Sequence, residues 1–245
     1  MKGAGEIHMA EKNSLNEGIS LYERGNYSAA LTFFLALPDN CGADPVELAY
    51  YLGLCYSKLK RYDDAMLYLE QVVTAAGEDK DADKIDEMTA DRVMQCRFLL
   101  AVIYCLSGRK KLADFELNKL LETGYKPASV YAALAYIAWQ QEEVDKCMDY
   151  YDKALFEDPT NPTALNGMGY VLACENRDLT KALGYCKKAL EKAPESAACL
   201  DSMGWVYFKM GIQTEARKYL ELAQKHDGKN KEIQAHLREL EKVSE

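Results

Sequence analysis

The chain has 245 residues, 49% hydrophobic and 28% charged, with 6 prolines and a net charge of −9 carried by both signs. That composition supports a large buried core and argues against extensive disorder. The lack of a concentrated basic face disfavours nucleic acid and an anionic membrane surface as partners, and no stretch reaches the roughly 20 apolar residues of a membrane span.

Residues 1–10 lack an apolar signal core. Their Ile7-His8-Met9 run reads as an expression remnant or a disordered start. The expected compartment is the cytoplasm, on the cysteine usage that follows, or the periplasm or outside of the cell if the segment replaced a removed signal peptide. The eight cysteines agree with a reducing compartment. None forms a Cys-x-x-Cys pair and no histidine lies near enough for a zinc site, so buried free thiols are expected.

From residue 11 to 229 the chain repeats itself. Small residues recur at Gly18, Gly53, Ala101, Ala135, Gly169 and Gly204, at intervals of 35, 48, 34, 34 and 35. A second ladder, Ala30, Ala65, Ala113, Cys147, Ala182 and Ala216, trails the first by 12 residues, and once by 13. Larger apolar residues surround each rung at i, i+3, i+4 spacing, as in Leu52-Gly53-x-x-Tyr56 and Ala65-x-x-x-Leu69, so the segments are helices. Two helices cross closely only where a side chain is small. Each unit therefore reads as an antiparallel helix pair, and the chain as six such pairs.

Turn chemistry marks the joints. Arg24-Gly25-Asn26, Lys60-Arg61, Ser107-Gly108 and Met210-Gly211 fall within pairs, while Asp158-Pro159-Thr160-Asn161-Pro162 and Ala193-Pro194-Glu195-Ser196 fall between them. The long interval predicts an acidic excursion over about residues 76–90, and the single additional residue in repeat five a looser turn near Arg177-Asp178. Residues 230–245 predict one last amphipathic helix, with Ile233, Leu237 and Leu240 on a face that caps the array.

These residues resemble the tetratricopeptide repeat family, whose signature is W-x2-L-G-x2-Y, A-x3-F and P. Leu165-x-x-Met168-Gly169 with Ala182-x-x-x-Cys186 and Pro194 carries the likeness, as does Tyr131-x-x-Leu134-Ala135 with Cys147-x-x-x-Tyr151 and Pro159. The resemblance implies an all-α, right-handed α-solenoid of six helix–turn–helix repeats closed by a C-terminal capping helix. It also implies that the first helix of each repeat lines a concave face.

On that register the groove residues are Tyr22, Tyr50, Leu54, Phe98, Val102, Tyr136, Trp139, Asn166, Tyr170, Trp205, Phe208 and Lys209. Both tryptophans fall on this stripe, and a contiguous aromatic patch marks a binding surface. The expected function is a non-enzymatic interaction module that lays an extended or helical apolar segment of a protein or peptide partner along the groove. Asn166 would meet the partner backbone, with Lys58 and Lys209 as polar edges. A carrier of a hydrophobic small molecule or lipid is the alternative, and association between copies is a further expectation. The first repeats offer Leu15, Ile19, Tyr50 and Leu54 where chaperone-binding relatives carry a carboxylate clamp, so an acidic chaperone tail does not fit.

No cofactor, metal or catalytic residue is expected. Asp79-x-Asp81-x-Asp83 begins like a calcium loop but has Lys84 where glycine is needed and Ala90 where glutamate is needed. No phosphate loop, nucleophile elbow or His-Glu-x-x-His pair is present.

Overall fold

A computed structural model describes residues 15–38, 40–78 and 87–244. Among these residues thirteen helices and no strands are found. The chain divides into two compact units, Met1–Glu122 and Thr123–Glu245.

Unit 1 holds three helix pairs: α1 (Asn16–Glu23) with α2 (Tyr27–Leu35), α3 (Pro45–Lys58) with α4 (Tyr62–Glu78), and α5 (Glu87–Leu106) with α6 (Lys110–Glu122). Unit 2 holds α7 (Pro127–Gln140) with α8 (Val144–Glu157), α9 (Pro162–Cys174) with α10 (Leu179–Lys192), and α11 (Ala197–Lys209) with α12 (Gln213–His226). The unpaired α13 (Lys231–Ser244) follows and packs on α12 and α11.

Both ladders lie in the packing between paired helices, the glycines of the first meeting the residue four beyond each rung of the second, as Gly53 meets Leu69. Every rung of the second, from Ala30 to Ala216, is fully buried. A methyl group on Gly169 would lie 2.5 Å from Cys186 Sγ and 3.0 Å from the Ala182 carbonyl, and one on Gly204 would lie 2.7 Å from Leu220 Cγ. These glycines let the paired backbones approach, and one apolar core runs through unit 2 from Ala132 to Val206.

Helix starts follow local capping. Asp44 accepts from the Val46 amide (3.1 Å) ahead of Pro45, Asn161 from Ala164 (3.0 Å) ahead of Pro162, and Ser196 from Cys199 (3.3 Å). The looser turn of repeat five has left-handed residues at both Asn176 and Asp178, and the Asp178 carboxylate then caps α10 through the Lys181 amide (3.0 Å).

The long second interval is resolved differently from the expected excursion over 76–90. Helix α4 runs to Glu78 and α5 starts at Glu87, so much of the additional length goes into longer helices. Charged residues at a helix end are compatible with helix when one face alone needs burial. The remaining stretch, with Asp79, Asp81 and Asp83, lies outside the described residues, as do residues 1–10.

Candidate functional site

The predicted groove residues divide between the units. In unit 1, Tyr50 and Leu54 are buried rather than open to a groove. The lengthened α5 is the reason for Tyr50. Its Arg92 lies over the Tyr50 ring at 5.3 Å and pairs with Glu47 at 2.8 Å, while the Tyr50 hydroxyl donates to Gln95 at 2.7 Å. Leu54 sits 4% exposed within the helix packing. Tyr22 is half-buried against Tyr27 and Tyr51 (ring centroids 5.3 and 6.2 Å), and burial pushes its hydroxyl up to about 12. Phe98 and Val102 are half-buried, and Lys58 reaches over the Tyr27 ring at 5.8 Å.

Unit 2 brings its predicted residues together. Trp139 of α7 meets Tyr170 of α9 edge-on at 6.1 Å. Tyr170 in turn lies 6.0 Å from the His236 ring of α13, and His236 stacks on Trp205 of α11 at 4.0 Å and 18°. Trp205 stacks on Phe208 at 4.9 Å, and Lys209 places its ammonium 4.9 Å over the indole. A continuous row of rings thus crosses four helices, with Tyr136 exposed on α7 beside it. Asn166 is half-buried, and its side-chain oxygen is enclosed with no hydrogen-bond partner.

Polar ties fix the row. His236 Nδ1 lies 2.9 and 3.0 Å from the two carboxylate oxygens of Asp201, a buried pair joining α13 to α11. Burial raises the Asp201 carboxyl above its ordinary range, with His236 pulling the other way. The Tyr170 hydroxyl donates to Glu232 of α13 at 2.6 Å. Burial first, then that donation, hold Tyr170 protonated well above the usual tyrosine range. Cys174 is also raised by burial, opposed by the neighbouring Tyr170 hydroxyl and Trp205 indole. The Trp205 N–H is buried and, among the described residues, makes no well-formed hydrogen bond, the Cys174 thiol being the group it acts on.

A tetratricopeptide repeat family model matches residues 15–80 and 132–197, more than half of the chain. The chain belongs to the tetratricopeptide repeat family. That family is generally a fold for protein interaction rather than catalysis. No curated protein sequence matches the chain. Among solved structures, one from a functional characterization of Pseudomonas aeruginosa pilF is 15% identical, with a TM-score of 0.64, 96% of this chain covered and 99% of that one. A chain of the APC/C hetero-tetramer Cut9–Hcn1 is 13% identical with a TM-score of 0.68, covering 96% of this chain and 46% of that one. At such identities the likeness is one of fold.

In this tetratricopeptide chain the sequence reading missed Glu232 and His236. They sit on a helix read as a cap, and nothing local to α13 signals that they reach Tyr170 and Asp201. The available signal was Asp201 itself. A carboxylate in the middle of a first helix, between Leu200 and Met203, asks for a partner.

Proposed function

We propose that this protein is an interaction module in which an extended or helical apolar segment of a partner protein lies along the ring row of unit 2. The observation that supports this reading is the continuous row itself, Trp139–Tyr170–His236–Trp205–Phe208, with Tyr136 exposed at one end. Aromatic side chains offer large contact area at small entropic cost, and interface anchors are enriched in them.

The two tryptophans are not equivalent as tests. Trp205 stacks on both Phe208 and His236, so its loss removes packing as well as surface. Tyr136 is exposed, while Trp139 is half-buried and packs on the unit 2 core as well as on Tyr170. Tyr136→Ala with Trp139→Ala should lower partner capture by tenfold or more, on the scale of about 2 kcal/mol for an anchor, with a shift in thermal unfolding smaller than that of Trp205→Ala. Unchanged capture by a stably folded double variant would remove the groove as the binding face.

A further inference from the structure

Resting on the groove reading, we propose that the partner segment carries a lysine or arginine whose charge seats on the Glu232 carboxylate, with its aliphatic stem across Tyr170 toward Trp139. Glu232 stands in the first turn of α13, fixed by the Asn230 side chain, which accepts from the Glu232 amide at 2.9 Å. Its carboxylate is oriented by the Tyr170 hydroxyl at 2.6 Å. A hydroxyl positions a carboxylate without cancelling its charge.

Some exposed carboxylates of unit 2 are answered by a lysine one turn away, as Glu239 is by Lys242 at 2.7 Å and Asp149 by Lys153 at 2.7 Å, while others such as Glu191 and Glu221 stand in no ion pair among the described residues. Glu232 differs from these in being held by a hydroxyl of the ring row. Among the described residues no lysine, arginine or histidine comes within ion-pair distance of Glu232. The oriented anion therefore faces outward beside aromatic rings and lacks a cation.

Those rings suit the missing group. An ammonium or guanidinium gains from an aromatic face as well as from a carboxylate, and an arginine stem packs on apolar surface. The same row already does this once within the chain, where Lys209 lies 4.9 Å over Trp205. An acidic segment is opposed at this position by Glu232, so charge selects against it.

The test uses two capped tripeptides, Leu-Arg-Leu and Leu-citrulline-Leu, titrated into the full chain while the Trp139 indole NMR signal is followed. Citrulline keeps the shape of arginine and removes its charge. The arginine peptide should bind about tenfold more tightly than the citrulline peptide at low salt, with the advantage fading as salt rises. Glu232→Gln, which keeps an acceptor for Tyr170, should bring the two peptides to equal affinity while the chain stays folded with its thermal midpoint only slightly lowered. Equal binding of both peptides to the unaltered chain would overturn the cation while leaving an apolar groove standing. An arginine preference that survives Glu232→Gln would overturn the assignment to this carboxylate. If neither peptide moves the Trp139 signal, the cation seat falls, and partner capture by the Tyr136 and Trp139 variants separately decides the groove.

Discussion

Outside repeat five, whose turn has two, the turn inside each helix pair has one residue with a positive φ, and the chain meets that need in two ways. Gly25, Gly108 and Gly211 supply it without a side chain, whereas Lys60 (φ 59°) and Glu142 (φ 61°) adopt the same conformation with one. A left-handed non-glycine residue costs roughly 1–2 kcal/mol, part of which glycine returns as chain entropy. Lys60→Gly and Glu142→Gly should each stabilise the protein by about 0.5–1 kcal/mol, read from urea midpoints at unchanged slope. A loss of stability would mean that these side chains hold the turn through contacts of their own. Cysteine chemistry is argued at the same scale. Cys55, Cys96, Cys147, Cys186 and Cys199 are buried, while Cys41, Cys105 and Cys174 are half-buried. Burial raises Cys55 to about 11 and Cys96, Cys147 and Cys186 to about 12, so little thiolate exists near neutrality. Titration of the native protein with a thiol reagent should label at most Cys41, Cys105 and Cys174, and the denatured protein should yield all eight. Fast labelling of Cys147 or Cys186 would show that the pair interfaces open readily.

At the level of the element, pairing was legible because close approach writes itself into sequence as small residues at fixed spacing. Gly169 announces its approach to Ala182, and Gly204 its approach to Leu220, four residues beyond the rung Ala216. The cost of breaking it follows from the same geometry. Gly169→Ala sets a methyl 3.0 Å from the Ala182 carbonyl, where backbone must give, and should destabilise unit 2 by about 1–3 kcal/mol. Gly184 has open space around its Cα and sits inside α10. Gly184→Ala should instead stabilise by about 0.5–1 kcal/mol, and calorimetry of the two variants reads both signs. What sequence did not show is what polar residues do at a distance. The charged ends of α4 and α5 read as loop because helix and loop both tolerate solvated charge, so Arg92 was not seen to cover Tyr50. Likewise α13 displays Ile233 and Leu240 as an apolar stripe, correctly buried, but His236 looks like a solvated residue until Asp201 is placed 2.9 Å away. Removing one member of a buried pair leaves the other without compensation. His236→Ala should therefore cost about 3–5 kcal/mol and free α13 first, seen as faster amide exchange in residues 231–244 than in α11 and α12. Exchange that rises equally in all three helices would mean that α13 is inseparable from the repeat it covers.

Across the whole molecule the buried ionisable groups point in one direction. Unit 1 contains Tyr22, Cys55, Cys96 and Cys105, and unit 2 contains Cys147, Tyr151, Tyr170 and Cys186, all with pKa values raised chiefly by burial. The folded chain keeps these protons at a pH where the unfolded chain releases them, since the ordinary values are 9.0 for the thiols and 10.0 for the tyrosines. In that window the folded state binds more protons, so stability falls as pH rises. The loss begins near the ordinary thiol value and steepens past the ordinary tyrosine value. For the thiols and Tyr22 it continues until the raised values of about 11 to 12 are reached and the folded groups also ionise, while Tyr151 and Tyr170 stay protonated beyond that. A thiol as enclosed as Cys186 contributes about 2 kcal/mol of the loss by pH of about 10.5. Several such groups acting together exceed the margin of a typical domain. Urea unfolding followed by circular dichroism at pH 7, 8 and 10.5 should therefore give midpoints that are close at the first two values and sharply lower at the third. Replacing Cys147 and Cys186 by alanine should flatten the alkaline fall in unit 2 while lowering its stability at pH 7, because the packing is lost together with the titrating proton. A midpoint independent of pH up to 10.5 would mean that these groups ionise inside the folded chain at their ordinary values, and that the helix-pair interfaces are far wetter than their packing implies.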